Sequence, residues 1–256
     1  MTMERISRYI WMGGIYTSKI EYNMQISWIN KFSLIDYPGE VSAIIFTPGC
    51  NFRCGFCHNS EFVLPEKLKN IYKTLIPKKA VLNFLNKRKW LLTWISICWG
   101  EPTMQKDLIC FCEEVKQMWF LVKLDTNGRD PLVVNELIKR WLVDYVAMDI
   151  KNEIWSFSLS ADVDIDEGPY LETIKILLDS DINYEFRTTV IKWVHNDKII
   201  ESISKYITWA KNYNLQNYRS WNTLDKNFKW GSFTELELNK FKKIAEKSVE
   251  KVLIRN

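Results

Sequence analysis

Glycine is scarce in this 256-residue chain: nine residues, about half the usual ~7% share. Histidine is scarcer still, at two, which excludes a site built mainly from imidazole. Neither sign of charge dominates, with 35 Lys+Arg against 31 Asp+Glu. A net +4 gives no argument for nucleic acid or an anionic membrane surface as partner. No apolar run approaches the ~18 residues that span a bilayer. Residues 1–23 scatter Glu4, Arg5, Arg8, Lys19 and Glu21 among their apolar residues and so lack a signal-peptide core. These absences predict a cytoplasmic protein. In that reducing setting six cysteines serve metal binding, catalysis or the core rather than disulfides. The length suits one domain, large enough for most of an α/β barrel.

What is present is a cysteine triplet. Cys50, Cys54 and Cys57 stand as C-x3-C-x2-C in the loop that follows a strand-like run, Val41 to Thr47. A complete thiolate cage around a cubane iron–sulfur cluster needs four cysteines. Three leave one iron open for a ligand that is not protein, as a catalytic metal keeps a free position. A zinc site is the competing reading. Zinc prefers four Cys/His ligands in paired knuckles, and His58 is awkwardly placed for a Cys3His set because it adjoins Cys57. Cys98 ends an apolar strand, and Cys110 and Cys112 lie two apart on a helix-like stretch and point to different faces. All three read as packing or surface thiols.

Beyond the triplet the pattern alternates. Helices are predicted over 79–89, 106–118, 131–140, 170–180, 197–213 and 234–249. Strands are predicted over 93–98, 120–125, 143–149, 184–191 and 215–220. Such alternation with continuous apolar strands implies a parallel sheet covered by helices, either an incomplete barrel or a doubly wound sheet. Polar residues at the C-terminal strand ends then line the site. Those ends carry Trp-Gly-Glu-Pro (99–102), Asp-Thr-Asn-Gly (125–128), Met-Asp-Ile-Lys (148–151) and Phe-Arg-Thr-Thr (186–189).

The triplet, with the aromatic Phe56 before its last cysteine, resembles the hallmark of the radical S-adenosylmethionine (SAM) superfamily. The strand-end segments, with Phe-Ser-Leu-Ile-Asp-Tyr-Pro-Gly (32–39), resemble the activating enzymes of glycyl-radical enzymes, most of all those of anaerobic ribonucleoside-triphosphate reductase. The resemblance runs from about Met24 to the C-terminus. Residues 1–23 are an N-terminal extension outside it, with Met24 a candidate native start, and residues 24–256 are the radical SAM domain. It implies an α/β fold, an incomplete (β/α)6 barrel, with a [4Fe–4S] cluster and SAM as cofactors.

By resemblance Cys50, Cys54 and Cys57 hold the cluster, and Phe56 flanks the adenine. Trp99, Gly100, Glu101 and Pro102 meet the methionine part. Asp125, Asn127 and Lys151 are candidates for the ribose and carboxylate, and His58 and Asn59 support the cluster from behind. Arg187 either pairs with the SAM carboxylate or holds a structural one such as Asp149. His195 reads as an ordinary loop histidine. The implied reaction cleaves SAM reductively and places a radical on a glycine of a partner, probed first as anaerobic ribonucleoside-triphosphate reductase. A flavodoxin- or ferredoxin-like donor would supply electrons, and no nucleic acid or membrane is implied. The alternatives are an activase of the pyruvate formate-lyase type, a radical SAM enzyme acting on a small molecule, and a non-enzymatic iron–sulfur or zinc protein.

One position departs from that family. Its Gly-Gly-Glu-Pro reads here Trp99-Gly-Glu-Pro, with an indole where glycine lets the backbone come close. Trp90, Trp119 and Trp141 likewise follow predicted helices at the place where glycine terminates them. Twelve tryptophans is high, and tryptophan plus glycine (12 and 9) is about 8% of the chain, a normal glycine share. The pattern suggests glycine, through UGA recoding, at Trp28, Trp90, Trp94, Trp99, Trp119, Trp141, Trp193, Trp209 and Trp221. Trp11, Trp155 and Trp230 are undecided.

Overall fold

The computed structural model describes residues 24–37, 39–153, 166–220, 223–225 and 231–255. Residues 1–23, expected from the sequence to be an extension, lie outside them, together with Trp155, Trp221 and Trp230. Eight strands form one sheet in chain order: β1 (Trp28–Ser33), β2 (Ser42–Phe46), β3 (Trp94–Cys98), β4 (Leu121–Thr126), β5 (Tyr145–Asp149), β6 (Asn183–Val190), β7 (Tyr213–Asn217) and β8 (Val252–Arg255). β1 is antiparallel to β2, and every later pair is parallel. The expected six-unit barrel corresponds to β2–β7, with β1 and β8 added at its two edges.

Each parallel step needs a crossover, and helices supply it. α1 (Pro65–Ile71) and α2 (Lys78–Arg88) join β2 to β3, and α3 (Leu108–Gln117) joins β3 to β4. α4 (Pro131–Lys139), α5 (Gly168–Leu178), α6 (Asp197–Tyr206) and α7 (Glu235–Ala245) make the remaining crossings. Their starts are chemically marked. Asp130 caps α4 through the Val133 N–H with Pro131 in the first turn, and Asn196 caps α6. Thr234 and Glu237 form a capping box on α7. Ile200, Ile203 and Ile207 recur at helical spacing and are buried against the sheet.

β2 and β3 are buried at every residue, as strands covered on both faces must be. At the N-terminal end of the strands the loop after β1 packs Tyr37 flat on Trp94, with ring centroids 3.9 Å apart, and edge-on to Tyr145. That end is filled with side chains. The opposite end, where strands run into loops, is left open.

The helix expected over 197–213 stops at Tyr206, and the chain re-enters the sheet at Tyr213. β1, α1 and β8 were not anticipated. β1 is a mostly exposed edge strand and β8 has four residues, so neither carries a long apolar signal.

Candidate active site

A cavity of about 440 Å³ opens at the C-terminal end of the strands. Cys50, Cys54, Phe56, Cys57, Trp99, Gly100, Glu101, Asp125, Asn127, Lys151 and Arg187 all line it, as do His58 and Asn59. Every candidate position except Pro102 therefore faces one space. Pro102 is buried and starts the turn Pro102–Met104 beneath it.

The cysteine loop leaves β2 at Thr47 and is held from several sides. The Gly49 N–H donates to the Phe62 carbonyl, and the Glu101 N–H donates to the Gly49 carbonyl at 2.7 Å. Leu224 and Asp225 donate their N–H groups to the carbonyls of Cys57 and Gly55. Backbone N–H groups of Phe52 and Asn59 point at the Sγ atoms of Cys50 and Cys57, at 3.3 and 3.4 Å. Burial is the largest influence on all three thiols, pushing Cys50 up to about 12 and Cys54 to about 11 and raising Cys57. For Cys50 and Cys54 repulsion from the neighbouring triplet sulfurs acts in the same direction. Without an electrophile these groups stay protonated at neutral pH. His58 turns away from them, its Nε2 3.0 Å from the Arg219 carbonyl and its ring stacked on Tyr218.

Glu101 is the clamp between two strand ends. Its Oε1 accepts from the Thr103 N–H and hydroxyl and from the Thr126 hydroxyl, and its Oε2 accepts from the Asn127 N–H at 2.7 Å. The buried carboxylate shapes the cavity by tying the end of β3 to the end of β4. Asn127 in turn donates to the Asn51 Oδ1 at 2.7 Å, beside Cys50.

The floor is an alternating row of charges on β4, β5 and β6. Lys123 pairs with Asp125 at 2.7 Å, and Asp125 pairs with Arg187 at 2.8 Å. Arg187 reaches Asp149 at 2.7 Å, and Asp149 reaches Lys151 at 2.8 Å. Burial alone would raise both carboxyls, but the flanking cations overcome it, leaving Asp125 at about 2 and Asp149 below its usual range. Arg187 thus has the structural carboxylate partner weighed from the sequence, Asp149, and a second one in Asp125. Lys151 also lies 6.0 Å from the Phe56 ring centroid.

His195 supports this floor from below. Its Nδ1 accepts from the Ile191 N–H, so Nε2 carries the proton and donates to the Lys151 carbonyl at 3.1 Å. Burial holds it down to about 4. The unfolded group titrates near 6.5, so acidification protonates the unfolded chain first. Stability is intact above about pH 6.5 and falls as pH drops towards 4, by about 3 kcal/mol at most. Urea melts at pH 7 and pH 4.5 should show this loss, and His195→Gln should flatten it; the Asp125 and Asp149 losses begin lower, below about pH 4.

Residues the motifs did not predict complete the rim: Gln216 and Asn217 from β7, Arg219 in the loop after it, and Arg255 from β8; Thr189 of the 186–189 segment lines it too. Cys98, expected to serve packing alone, is buried and also lines the cavity. Cys110 is exposed and Cys112 buried, as their spacing predicts.

The radical SAM superfamily model matches residues 44–205, most of the sheet and all of the triplet. The chain belongs to the radical SAM superfamily. It is an enzyme of that family, whose cofactors are a [4Fe–4S] cluster and SAM. It is 34% identical over 236 residues to a protein of Methanocaldococcus jannaschii provisionally named glycyl-radical enzyme activating enzyme, covering 90% of this chain and 95% of that one. A second protein of that organism with the same provisional name is 28% identical over 189 residues, covering 70% of this chain and 68% of that one. Among solved structures, Streptococcus suis SuiB bound to SAM superposes with a TM-score of 0.62 at 14% identity, over 81% of this chain and 48% of that one. Native anSMEcpe with bound SAM and a peptide gives 0.57 at 13%, over 80% and 58%. At such identities these two structures speak for the fold.

The donor set fits the cluster. Three reduced thiols face one cavity, two of them already meeting N–H donors that suit a sulfur carrying charge. Among the described residues no three His, Cys, Asp or Glu converge so as to hold a single ion. A cubane makes no such demand, since each thiolate takes a different corner. Cys50, Cys54 and Cys57 would hold the cluster, which when reduced would supply the electron for reductive cleavage of SAM. The chain's contribution is to bind, orient and exclude water around that chemistry.

Proposed function

We propose that this radical SAM enzyme is the activase of a glycyl-radical enzyme, and that its partner is the anaerobic ribonucleoside-triphosphate reductase. The observation that carries the reading is the 34% identity to a protein of that provisional name, sustained along nearly the whole of both chains. The reductase as partner rests on the segments 32–39, 99–102, 125–128, 148–151 and 186–189, which match that activase group in order.

In this reading Cys50, Cys54 and Cys57 hold the cluster and leave one corner for SAM. Phe56 lies beside the adenine, and residues 99–100 border the amino-acid end. Asn127 and Lys151 offer a neutral donor and a cation to its polar groups, while Glu101, Asp125 and Arg187 act through the walls they brace. Pro102 sets the turn behind Glu101. No side-chain acid or base is required, because the transferred hydrogen moves as an atom.

The test is anaerobic. The reconstituted protein is mixed with SAM, dithionite and the reductase from the same cells, and the partner is examined by electron paramagnetic resonance. A glycyl-radical doublet that requires both SAM and Cys54 is the expected outcome. Deoxyadenosine without a doublet on the reductase, but with one on a pyruvate formate-lyase type enzyme, would reassign the partner. SAM cleavage with no doublet on either would sink the activase reading.

A further inference from the structure

Residues with positive φ are the most selective feature of this backbone. Among the described residues four glycines adopt it: Gly39, Gly49, Gly100 and Gly128. Five other residues do, and all five are tryptophan: Trp99, Trp119, Trp141, Trp193 and Trp209, with φ between 55° and 71°. Side chains other than glycine seldom enter this region, and those that do are mainly Asn, Asp and His. None of those takes it here. A bulky aromatic gains nothing from the conformation that would explain five occurrences.

Local hydrogen bonding shows that these positions ask for glycine. The N–H of Trp141 bonds to Ile138 and that of Leu142 to Leu137, the paired bonds of a Schellman helix end with residue 141 at its left-handed position. At the end of α3 the Trp119 N–H makes the corresponding single bond to the Lys116 carbonyl. Trp193 is third in a turn closed by the Val194 N–H on the Ile191 carbonyl, where a type II turn requires positive φ.

The indoles themselves do little. Trp119 is 93% exposed, and Trp141, Trp193 and Trp209 are exposed as well. Nor do they form one surface. Trp119, Trp141 and Trp209 precede β4, β5 and β7, whereas Trp99 and Trp193 follow β3 and β6, at the other end of the sheet. Trp94 is the contrast: 5% exposed, ordinary in φ and stacked on Tyr37. Trp28 and Trp90 also have ordinary φ. The structure therefore gives these three no mark of glycine, including Trp90, for which a left-handed helix end was expected.

We propose that the functional protein carries glycine at positions 99, 119, 141, 193 and 209, because UGA in its messenger is read as glycine where another code reads tryptophan. The consequence for the site falls on position 99. The Thr47 hydroxyl donates to the carbonyl of residue 99 at 2.6 Å, and a Cβ on Gly100 would lie 2.2 Å from the Gly49 carbonyl oxygen. This backbone cannot shift, so the indole projects into the cavity against Phe46 and Phe62 and occupies room beside the cysteine triplet.

Peptides of the protein isolated from its own cells decide the matter by mass spectrometry. Spectra covering residues 119 and 141 should be lighter by the difference between an indole side chain and a hydrogen; intact tryptophan there overturns the proposal. A second measurement uses recombinant chains. Trp119→Gly and Trp141→Gly should each raise Tm by about 2–4 °C, the reverse of glycine's usual effect, while Trp94→Gly lowers it. In anaerobically reconstituted protein Trp99→Gly should tighten SAM binding at least tenfold by calorimetry. Lowered Tm in both helix-end variants together with unchanged SAM affinity would equally overturn it.

Discussion

Replacing Arg187 with methionine is expected to destabilise the fold by about 3–5 kcal/mol, the cost of removing one partner from a buried ionic network. The guanidinium is the only cation shared by Asp125 and Asp149 among the pairs of the cavity floor. Without it the two carboxylates repel each other across β4 and β5, and each keeps only its outer lysine. For a chain of this size the loss corresponds to a fall in Tm of about 6–20 °C. Arg187→Lys should recover little, because one ammonium cannot span two carboxylates as the Nε and NH1 edges of arginine do. Thermal melts of the two variants check this. A Met variant within about 1 kcal/mol of the parent would show that the network is not what holds the floor together.

Cys54→Ala is expected to abolish iron–sulfur loading and, with it, SAM cleavage, while leaving the fold in place. The side chain is small and buried in a loop whose backbone is fixed by bonds from Leu224, Asp225 and Glu101, none of which involves the thiol. Two remaining cysteines cannot hold three corners. The informative comparison is with Cys98→Ala and Cys112→Ala. Cys98 lines the same cavity and Cys112 is buried in the core, so both test burial without belonging to the triplet. Iron and sulfide content should fall to background in the first variant and stay near the parent level in the other two. Loss of the cluster in Cys98→Ala would make it a fourth ligand and remove the open corner on which the chemistry depends.

The site was legible in the sequence where its parts are local. The triplet lies within one loop, and the polar segments at 99–102, 125–128 and 148–151 fall where an apolar strand ends, so spacing alone placed them at one end of the sheet, while 186–189 lies within β6. The rim near β7 and β8 was not legible, because Gln216, Asn217 and Arg255 belong to short strands with no motif of their own and Arg219 to the loop after β7. The overrun of the helix beyond Tyr206 has a related cause. Trp209 hides the left-handed break that a glycine there would have announced, and the polar residues after it continue a helix-like composition. Glu101 was read as a cofactor contact from its motif; that its carboxylate also binds Thr103, Thr126 and Asn127 is visible only in the fold.

The sequence by itself determined the alternating architecture and the thiol triplet, since periodicity and spacing act over a few residues. It also exposed the glycine deficit, which is a matter of counting. Only the tertiary structure decided the partners of Arg187, which lie 38 and 62 residues away and meet it because β4, β5 and β6 are neighbours in the sheet. Only the backbone separated Trp99, Trp119, Trp141, Trp193 and Trp209 from Trp94, because the sign of φ is fixed by how a helix or strand must turn to reach its next neighbour.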